Sequence, residues 1–368
     1  MLQLKAVLPM KVLSLFDGIS CGMLALQRAG ISVEEYHAFE IDKYALSVSQ
    51  RNFPEIVHHG NVFDGDFKEF KGFDLLIGGS PCTYWSIAKK DRETTSDGMG
   101  FKLFMEYVRA LHESECKYFL YENNYSIHQN IKDEISKRLG VKPIMINSAL
   151  VSGQHRQRCY WTNIPNVTQP EDKGILLADI LENGISWQQK SYCITANYHP
   201  TFQSNLERHQ NSMVAIPINT VKGKSHTITA TYYKTGANPF SSYGCEKGKQ
   251  RIAVPIEANG DTPVCKPIRI GEYGNGGQGQ RIYSVHGKSV SLSANGGGRG
   301  AKTGLYKIDL PDGDYMIRKL TPVEAERLQT LPDNYTAGIS DTQRYKCIGN
   351  GWTVDVIAHI LRGLVENG

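Results

Sequence analysis

Apolar runs and amphipathic segments alternate through the first part of the chain. Runs typical of buried strands lie at 12–16, 36–41, 75–77, 118–121 and 143–147. Segments with helical periodicity lie between them, at 22–29, 100–112 and 130–139. Strands that alternate with helices predict an α/β fold with a doubly wound, mostly parallel sheet.

The pattern changes after about residue 165, where helical periodicity fades and Gly, Ser, Thr, Asn and Tyr become common. One motif begins at Lys190, Lys224 and Lys288 and reads KSYCITANY, KSHTITATY and KSVSLSANG. Each copy alternates apolar and hydroxyl residues before a turn, as a short strand does. The segment is therefore predicted to form a smaller β-rich domain.

Helix signals return at residue 320. Thr321 is a predicted N-cap, Pro322 stands at the first helical position, and Glu324 completes a capping box. A last amphipathic helix is predicted over 354–365. We therefore expect a body formed by residues 1–167 and 316–368, interrupted by an inserted domain at 168–315.

Composition narrows the class of protein. Hydrophobic residues make up 40% and charged residues 21%, as in soluble globular proteins. No apolar run approaches the roughly 18 residues of a membrane span, and no cleavable signal pattern opens the chain. The eight cysteines form no CxxC pair and no metal-ligand spacing with histidine. We therefore expect a reduced, cytoplasmic protein without membrane association or a metal.

Charge is unevenly distributed along the chain. Residues 151–316 hold 18 Lys and Arg against 12 Asp and Glu, whereas the remainder holds 23 against 25. A basic middle segment is a weak indication of a polyanionic partner. A solvated loop region that is basic by chance explains the count equally well.

Glycines follow the first predicted strand in LFDGISCGMLAL, at Gly18 and Gly22. A strand, a glycine turn and a helix start form a recurring cradle for nucleotide-like ligands, although an ordinary turn has the same pattern. The spacing is not GxGxxG, which disfavours a dinucleotide. Glu40 ends the next strand, where a carboxylate suits a ribose diol. Together these features favour an adenosine-type cofactor.

A thiol, an acid and two arginines follow other predicted strands. Cys82 stands in GGSPC, Glu122 is the next-to-last residue of YFLYEN, and QHRQR contains Arg156 and Arg158. A thiol and an acid at one edge of a sheet favour covalent attack with acid assistance. Taken singly, the acid also fits a solvated strand end, and the arginines fit surface ion pairs.

The ordered motifs resemble the cytosine-5 DNA methyltransferase family over nearly the whole chain. They are FDGISCG, FEID, GGSPC, YEN, QHRQR, RKLTPVEAERLQTLPDNY and IGNGWTV. The segment GKSVSLSANGGGRGAKTGLY also resembles the end of the family's target-recognition domain. The resemblance implies a Rossmann-like, S-adenosylmethionine-dependent methyltransferase whose inserted β-rich domain, 168–315, reads double-stranded DNA.

The resemblance also implies roles for particular residues. Cys82 would attack C6 of a cytosine flipped out of the duplex, Glu122 would hold the N3 edge, and Arg158 would hold O2. Arg156 and Gln154 would organise the neighbouring loop. Implied substrate contacts are Pro81, Ser86, Asn123 and Gln154. Implied cofactor contacts are Phe16, Asp17, Gly18, Ile19, Gly22, Glu40, Ile41, Asn61, Val62, Pro81, Asn350, Trp352 and Val354.

Three positions depart from the family pattern. Asn61 replaces the usual Asp, Thr83 replaces Gln or Asn after the thiol, and Asn124 replaces Val after Glu-Asn. These departures leave the thiol and acid in place, but they put the fine tuning and the identity of the transferred group in question.

Two other functions stay open at this stage. The same chemistry on RNA is one, and a catalytically silent DNA-binding regulator is the other. The large basic insertion favours duplex DNA, since groove reading needs a sizeable surface. The intact thiol and acid argue against a silent regulator. We expect a bacterial or phage monomer, with a cognate restriction enzyme as a candidate partner. The target sequence cannot be read from this chain.

Overall fold

The computed structural model describes residues 9–81, 83–85, 91–183, 186, 190, 191, 193, 194 and 320–365. It describes the backbone alone at Cys82 and at 213–217, 269–272, 281–283, 305–306 and 315–319. The chain divides into two compact units. The first comprises Met1–Ile180, Lys190–Tyr198 and Thr321–Gly368, and the second comprises Leu181–Gln189 and His199–Leu320.

Seven strands form the sheet of the first unit. They are β1 Met10–Leu15, β2 Val33–Phe39, β3 Val57–His58, β4 Leu75–Gly78, β5 Tyr118–Asn124, β6 Ile144–Asn147 and β7 Gln157–Thr162. Their order is β3-β2-β1-β4-β5-β7-β6, and β7 is antiparallel to both of its neighbours. The prediction of a doubly wound, mostly parallel sheet is confirmed.

Seven helices accompany these strands in the described residues. They are α1 Cys21–Ala29, α2 Lys43–Asn52, α3 Met99–Ser114, α4 Gln129–Leu139, α5 Pro322–Leu328, α6 Asp341–Asn350 and α7 Val354–Leu361. The predicted capping box is present at α5, where the Thr321 hydroxyl and the Glu324 carboxylate each accept the other residue's backbone N–H. Within the described part of the chain, no helix is long and apolar enough to span a membrane.

The core of the first unit lies between the sheet and the helices that follow its strands. Phe104 and Tyr107 of α3 and Ile131 of α4 are fully buried in one cluster with Leu13 of β1 and Leu76 of β4. Burying a large apolar side chain contributes about 1.5–3 kcal/mol. The apolar runs of the sequence therefore form the packed core that supports the carboxyl edge of the sheet.

The second unit contains short strands whose backbone is described. They are β8 Met213–Pro217, β9 Arg269–Glu272, β10 Arg281–Tyr283, β11 Leu305–Tyr306 and β12 Tyr315–Lys319. One sheet has the order β11-β10-β9, and β8 pairs antiparallel with β12. The Lys-Ser motifs at Lys224 and Lys288 lie outside the described residues.

The strand order reverses at β1. The chain passes from β1 to β2 and β3 on one side and then returns to β4 on the other. In open α/β sheets, a crevice forms at such a switch point, beyond the carboxyl ends of the strands. The turns after β1 and β4 and the end of β5 meet at this edge.

Candidate functional site

A cavity of about 260 Å³ lies at the carboxyl edge of the sheet. Eleven of the predicted site residues line it: Phe16, Asp17, Gly18, Ile19, Glu40, Pro81, Glu122, Arg156, Arg158, Asn350 and Trp352. Its size is close to that of known small-molecule sites, which begin at about 300 Å³. Folding therefore brings together motifs that are up to 336 residues apart in the sequence.

Glu40 is held in the cavity wall by three backbone amides. Its Oε2 accepts the Gly18 N–H at 2.8 Å, and its Oε1 accepts those of Ile41 and Asp42 at 2.8 and 2.7 Å. Gly18 has a φ of +62°, which suits the sharp turn after β1. Burial raises the pKa of the Glu40 carboxyl, although the three amides oppose the change.

Asp17 stabilises the turn itself. Its Oδ1 accepts the hydroxyls of Ser14 and Tyr36 at 2.6 and 2.7 Å, and its Oδ2 accepts that of Ser20 at 2.5 Å. Ser14 lies in β1, Tyr36 lies in the neighbouring strand β2, and Ser20 lies in the turn before α1. The Asp17 carboxylate therefore fixes the conformation of the glycine turn that lines the cavity.

Glu122 occupies the opposite wall, and each of its oxygens accepts a hydrogen bond. Arg158 Nε lies 2.9 Å from Oε1, and Trp352 Nε1 donates to Oε2 at 3.1 Å. The acid and the arginine side chains are only 11% and 12% exposed. Register explains the pairing, because Asn124 of β5 lies opposite Arg158 of β7. This arrangement aims an acid and a cation into one pocket.

Arg156 ties the cavity wall to its surroundings. Its Nη2 donates to the carbonyls of Gly349 and Gly351 at 3.2 and 2.9 Å, and its Nη1 donates to that of Ile194 at 3.0 Å. The first two carbonyls flank Asn350. Arg156 therefore positions the loop that carries Asn350 and Trp352.

The segment that carries the predicted nucleophile follows β4. Cys82 begins a short 3₁₀-helix, Cys82–Tyr84, whose neighbours Pro81 and Thr83 are exposed and line the cavity. Asn124, one of the departures from the family pattern, also lines the cavity. Ser86 lies outside the described residues.

Three residues predicted as cofactor contacts are packing residues away from the cavity lining. A Cβ on Gly22 would lie 2.3 Å from Ile77 Cδ1, so Gly22 lets α1 approach the sheet. Val62 and Val354 are buried, 5% and 0% exposed, because each turns its apolar side chain into the core. In this structure, the side chains of Val62 and Val354 and the missing side chain of Gly22 therefore serve close packing.

Four further predicted contacts also lie outside the lining. Ile41 is 74% exposed, and exposed Asn61 caps the 3₁₀-helix Val62–Asp64 through its side chain. Asn123 is buried with its amide donating to Ser80 and Tyr121. Gln154 is buried too. Its Nε2 donates to Leu328 O and Gln329 Oε1, and its Oε1 accepts the Ile194 N–H, which fits an organising role better than substrate contact.

Two features of the lining escaped prediction from the sequence. Asp42 and Lys346 form an ion pair with 2.7 Å between Oδ2 and Nζ. Burial opposes ionisation of Asp42, but hydrogen bonds from Lys346 and the Tyr44 amide outweigh it and lower its pKa. Asp42 stands in FEID beside Glu40, so its motif was a usable signal. The lining thiols Cys21 and Cys347 have pKa values raised by burial to about 12, which leaves them neutral.

The doubly wound sheet, with a cavity at its switch point, has the architecture of Rossmann-like folds, which bind nucleotide-like ligands at that place. The model of the C-5 cytosine-specific DNA methylase family matches residues 10–366. The chain therefore belongs to that family.

Named relatives agree with this assignment, and solved structures share the fold. The type II methyltransferase M.HhaI of Haemophilus parahaemolyticus is 28% identical, over 97% of this chain and 94% of its own. The orphan methyltransferase M.SPRI of Bacillus phage SPR is 25% identical, over 97% and 98%. The fold is similar to the Entamoeba histolytica methyltransferase EhMeth, with a TM-score of 0.57 at 15% identity over 98% of both chains. The S. pombe Dnmt2 methyltransferase has a TM-score of 0.52 at 14% identity, over 97% and 99%.

Proposed function

We propose that this protein is a DNA (cytosine-5)-methyltransferase that uses S-adenosylmethionine and acts on a cytosine flipped out of duplex DNA. The observation that carries the proposal is Glu122, whose carboxylate is held by Arg158 and Trp352 beside the turn that presents Cys82. Attack on a pyrimidine needs this pairing of a nucleophile with an acid at the ring nitrogen.

The lining fits S-adenosylmethionine. Glu40 uses three of its roughly four acceptor positions on backbone amides, which leaves capacity for a ribose hydroxyl. Phe16 supplies an aromatic surface for adenine, and exposed Ile41 is a second apolar surface one residue after Glu40. Gly18 and Ile19 would hold the amino-acid part. When bound, S-adenosylmethionine supplies an electrophilic methyl group.

The protein's own residues would make cytosine C5 reactive. The Cys82 thiolate forms a bond to C6, and the electron pair of the C5–C6 double bond moves toward C5. Glu122 holds N3 and stabilises the cytosine ring when it is protonated there, while Arg158 binds O2. Once C5 has been alkylated, a base accepts the C5 proton. The C5–H electron pair re-forms the C5–C6 double bond, the C6–S bond breaks, and the sulfur leaves as thiolate.

The second compact unit is the proposed reader of DNA sequence. Residues 168–315 correspond to most of it, and the basic excess of the chain lies there. A stacked base hides C6, so the enzyme must extrude the nucleotide before attack. We further propose that the protein acts as a monomer of bacterial or phage origin. The relative named a type II methyltransferase makes a paired restriction enzyme a candidate partner, whereas the relative named an orphan methyltransferase favours a protein that acts without one.

Covalent trapping tests the proposal. The purified protein is incubated with S-adenosylmethionine and duplexes of mixed sequence that contain 5-fluorocytosine, and linked products are identified by mass spectrometry. We expect an adduct at Cys82 and none in Cys82→Ser, which should still bind the cofactor. Matched RNA and single-stranded DNA are included. An adduct on RNA alone would show that the substrate is RNA and not DNA. The absence of an adduct on every nucleic acid would refute the proposed methyltransferase activity.

A further inference from the structure

A second thiol lies against both arginines of the site. Cys193 Sγ is 3.2 Å from Arg156 Nη1 and 3.8 Å from Arg158 Nη2. In the neutral thiol form, the same sulfur donates to the Ile194 carbonyl oxygen at 3.5 Å, a bond that ionisation gives up in exchange for the two guanidinium contacts. A sulfur that faces two guanidinium groups is better satisfied as a thiolate, which accepts hydrogen bonds, than as a thiol.

The balance of charge supports this ionisation. Burial alone raises the pKa of the Cys193 thiol, but the positive charges and hydrogen bonds of Arg156 and Arg158 outweigh it, so the pKa is lowered. Cys116 makes the contrast, because burial raises the pKa of its thiol to about 11. The fold therefore distinguishes Cys193 from the buried thiols of the core.

We propose that Cys193 is a positioning residue for methyl transfer, whose thiolate anchors Arg156 and Arg158 so that Arg158 presents Glu122 correctly. The proposal rests on the proposed function. Both arginines line the cavity and Cys193 does not. The thiolate therefore acts through the arginines.

The geometry at Arg158 explains why one sulfur matters. Its planar guanidinium binds Glu122 at Nε, 2.9 Å away, and faces Cys193 at Nη2. Two anions at different nitrogens fix both the position and the rotation of the plane. When Glu122 and Arg158 engage a pyrimidine, the thiolate remains as the second anchor. Without it, Arg158 is held less firmly at the step where its alignment sets the rate.

A titration tests the ionisation without using catalysis. The ultraviolet absorbance of thiolate is measured against pH in Cys82→Ser and in the double variant Cys82→Ser/Cys193→Ser, and the difference reports Cys193 alone. We expect a midpoint below that of a free thiol, which is roughly 8.5. A midpoint at or above that value would overturn the proposal.

Kinetics test the positioning role. Cys193→Ser keeps the size of the side chain but loses the charge, so kcat at neutral pH should fall about fivefold, with KM for DNA and cofactor nearly unchanged. Cys193→Asp should restore most of kcat. Cys116→Ser, the control, should leave kcat unchanged.

The pH dependence separates positioning from mere packing. The ratio of wild-type to Cys193→Ser kcat should approach one as the pH is lowered below the measured midpoint, since the wild-type thiol is then neutral too. A ratio that is independent of pH, or equal rates at every pH, would refute the positioning role in an active enzyme. A wild type that titrates as expected but methylates nothing would instead refute the proposed function.

Discussion

Gly79→Ala tests whether the placement of Glu122 limits the reaction. Gly79 follows β4, and a Cβ built on it would lie 2.9 Å from Glu122 Oε2 and 3.0 Å from the Glu122 carbonyl oxygen. Its backbone is outside the left-handed region, so alanine is allowed there by conformation. The two close contacts of the added methyl group are both with Glu122, while Trp352 Nε1 lies at an ordinary contact distance of 3.4 Å. Gly79 also lines the cavity, so KM for cofactor and DNA is measured beside kcat.

The expected losses of stability and kcat in Gly79→Ala depend on how far Glu122 can move away from the added methyl group. Ordinary carbon–oxygen contacts begin near 3.4 Å, so Glu122 must shift by about 0.5 Å. The carbonyl cannot yield easily, because Tyr121 of β5 pairs with Gly78 of β4 and Glu122 pairs with Tyr160 of β7. Overpacking of this kind costs about 1–3 kcal/mol of unfolding free energy. A misplacement approaching 1 Å lowers kcat by about 10–100-fold.

The assay compares methyl transfer at saturating cofactor and DNA with urea unfolding of the same proteins. Gly72→Ala is the matched control. Gly72 has a φ of +86° and no atom within 4 Å of a built Cβ, so alanine there costs about 1–2 kcal/mol through backbone strain alone. It should lose similar stability and keep its kcat. Wild-type kcat in Gly79→Ala would refute the reasoning, because the Glu122 position would then tolerate the shift.

Two more predictions concern a hydrogen bond and an ion pair. Trp352→Phe removes the donor to Glu122 Oε2 and should lower kcat about tenfold with little change in stability; an unchanged kcat would show that Arg158 alone orients the acid. Asp355 binds Arg28 and Lys173 at 2.6 and 2.8 Å, and although burial opposes it, these hydrogen bonds lower its pKa. Its contribution, about 1 kcal/mol, is therefore present above the unfolded-state pKa near 3.9 and lost below it. Urea unfolding of Asp355→Asn should differ from wild type at pH 7 and still differ at pH 4, and the two should converge only as the pH falls below about 3.9 through the lower folded-state pKa. A difference that is independent of pH would contradict this.

Periodicity in the chain was enough to predict most of the body. All five predicted strands and the three predicted helices between them are present, because long apolar runs and amphipathic faces have one stable partner, the core. The strands and helices of the body that were missed are β3, β7, α2 and α6. β3 is only two residues long, β7 begins with polar residues, and α2 and α6 are mostly polar, with three and four buried residues. None of them shows a period strong enough to predict it.

The order of the motifs along the chain likewise indicated the family and the chemistry from the sequence alone. The thiol, the acid and the two arginines are recognisable because each follows a strand, and strand ends meet at one edge of a parallel sheet. Chemistry that depends only on residue type and on order along the chain can therefore be predicted from the sequence.

Tertiary structure alone decided which of those residues reach the cavity. Gly22 belongs to the same motif as Gly18, and Val62 was predicted to contact the same cofactor as Glu40, yet Gly22 and Val62 pack against the core. Cys193 was one of eight cysteines until folding placed it between two arginines that lie 35 and 37 residues away in the chain. A side chain's role depends on which way it points and which charges surround it, and long-range packing sets both.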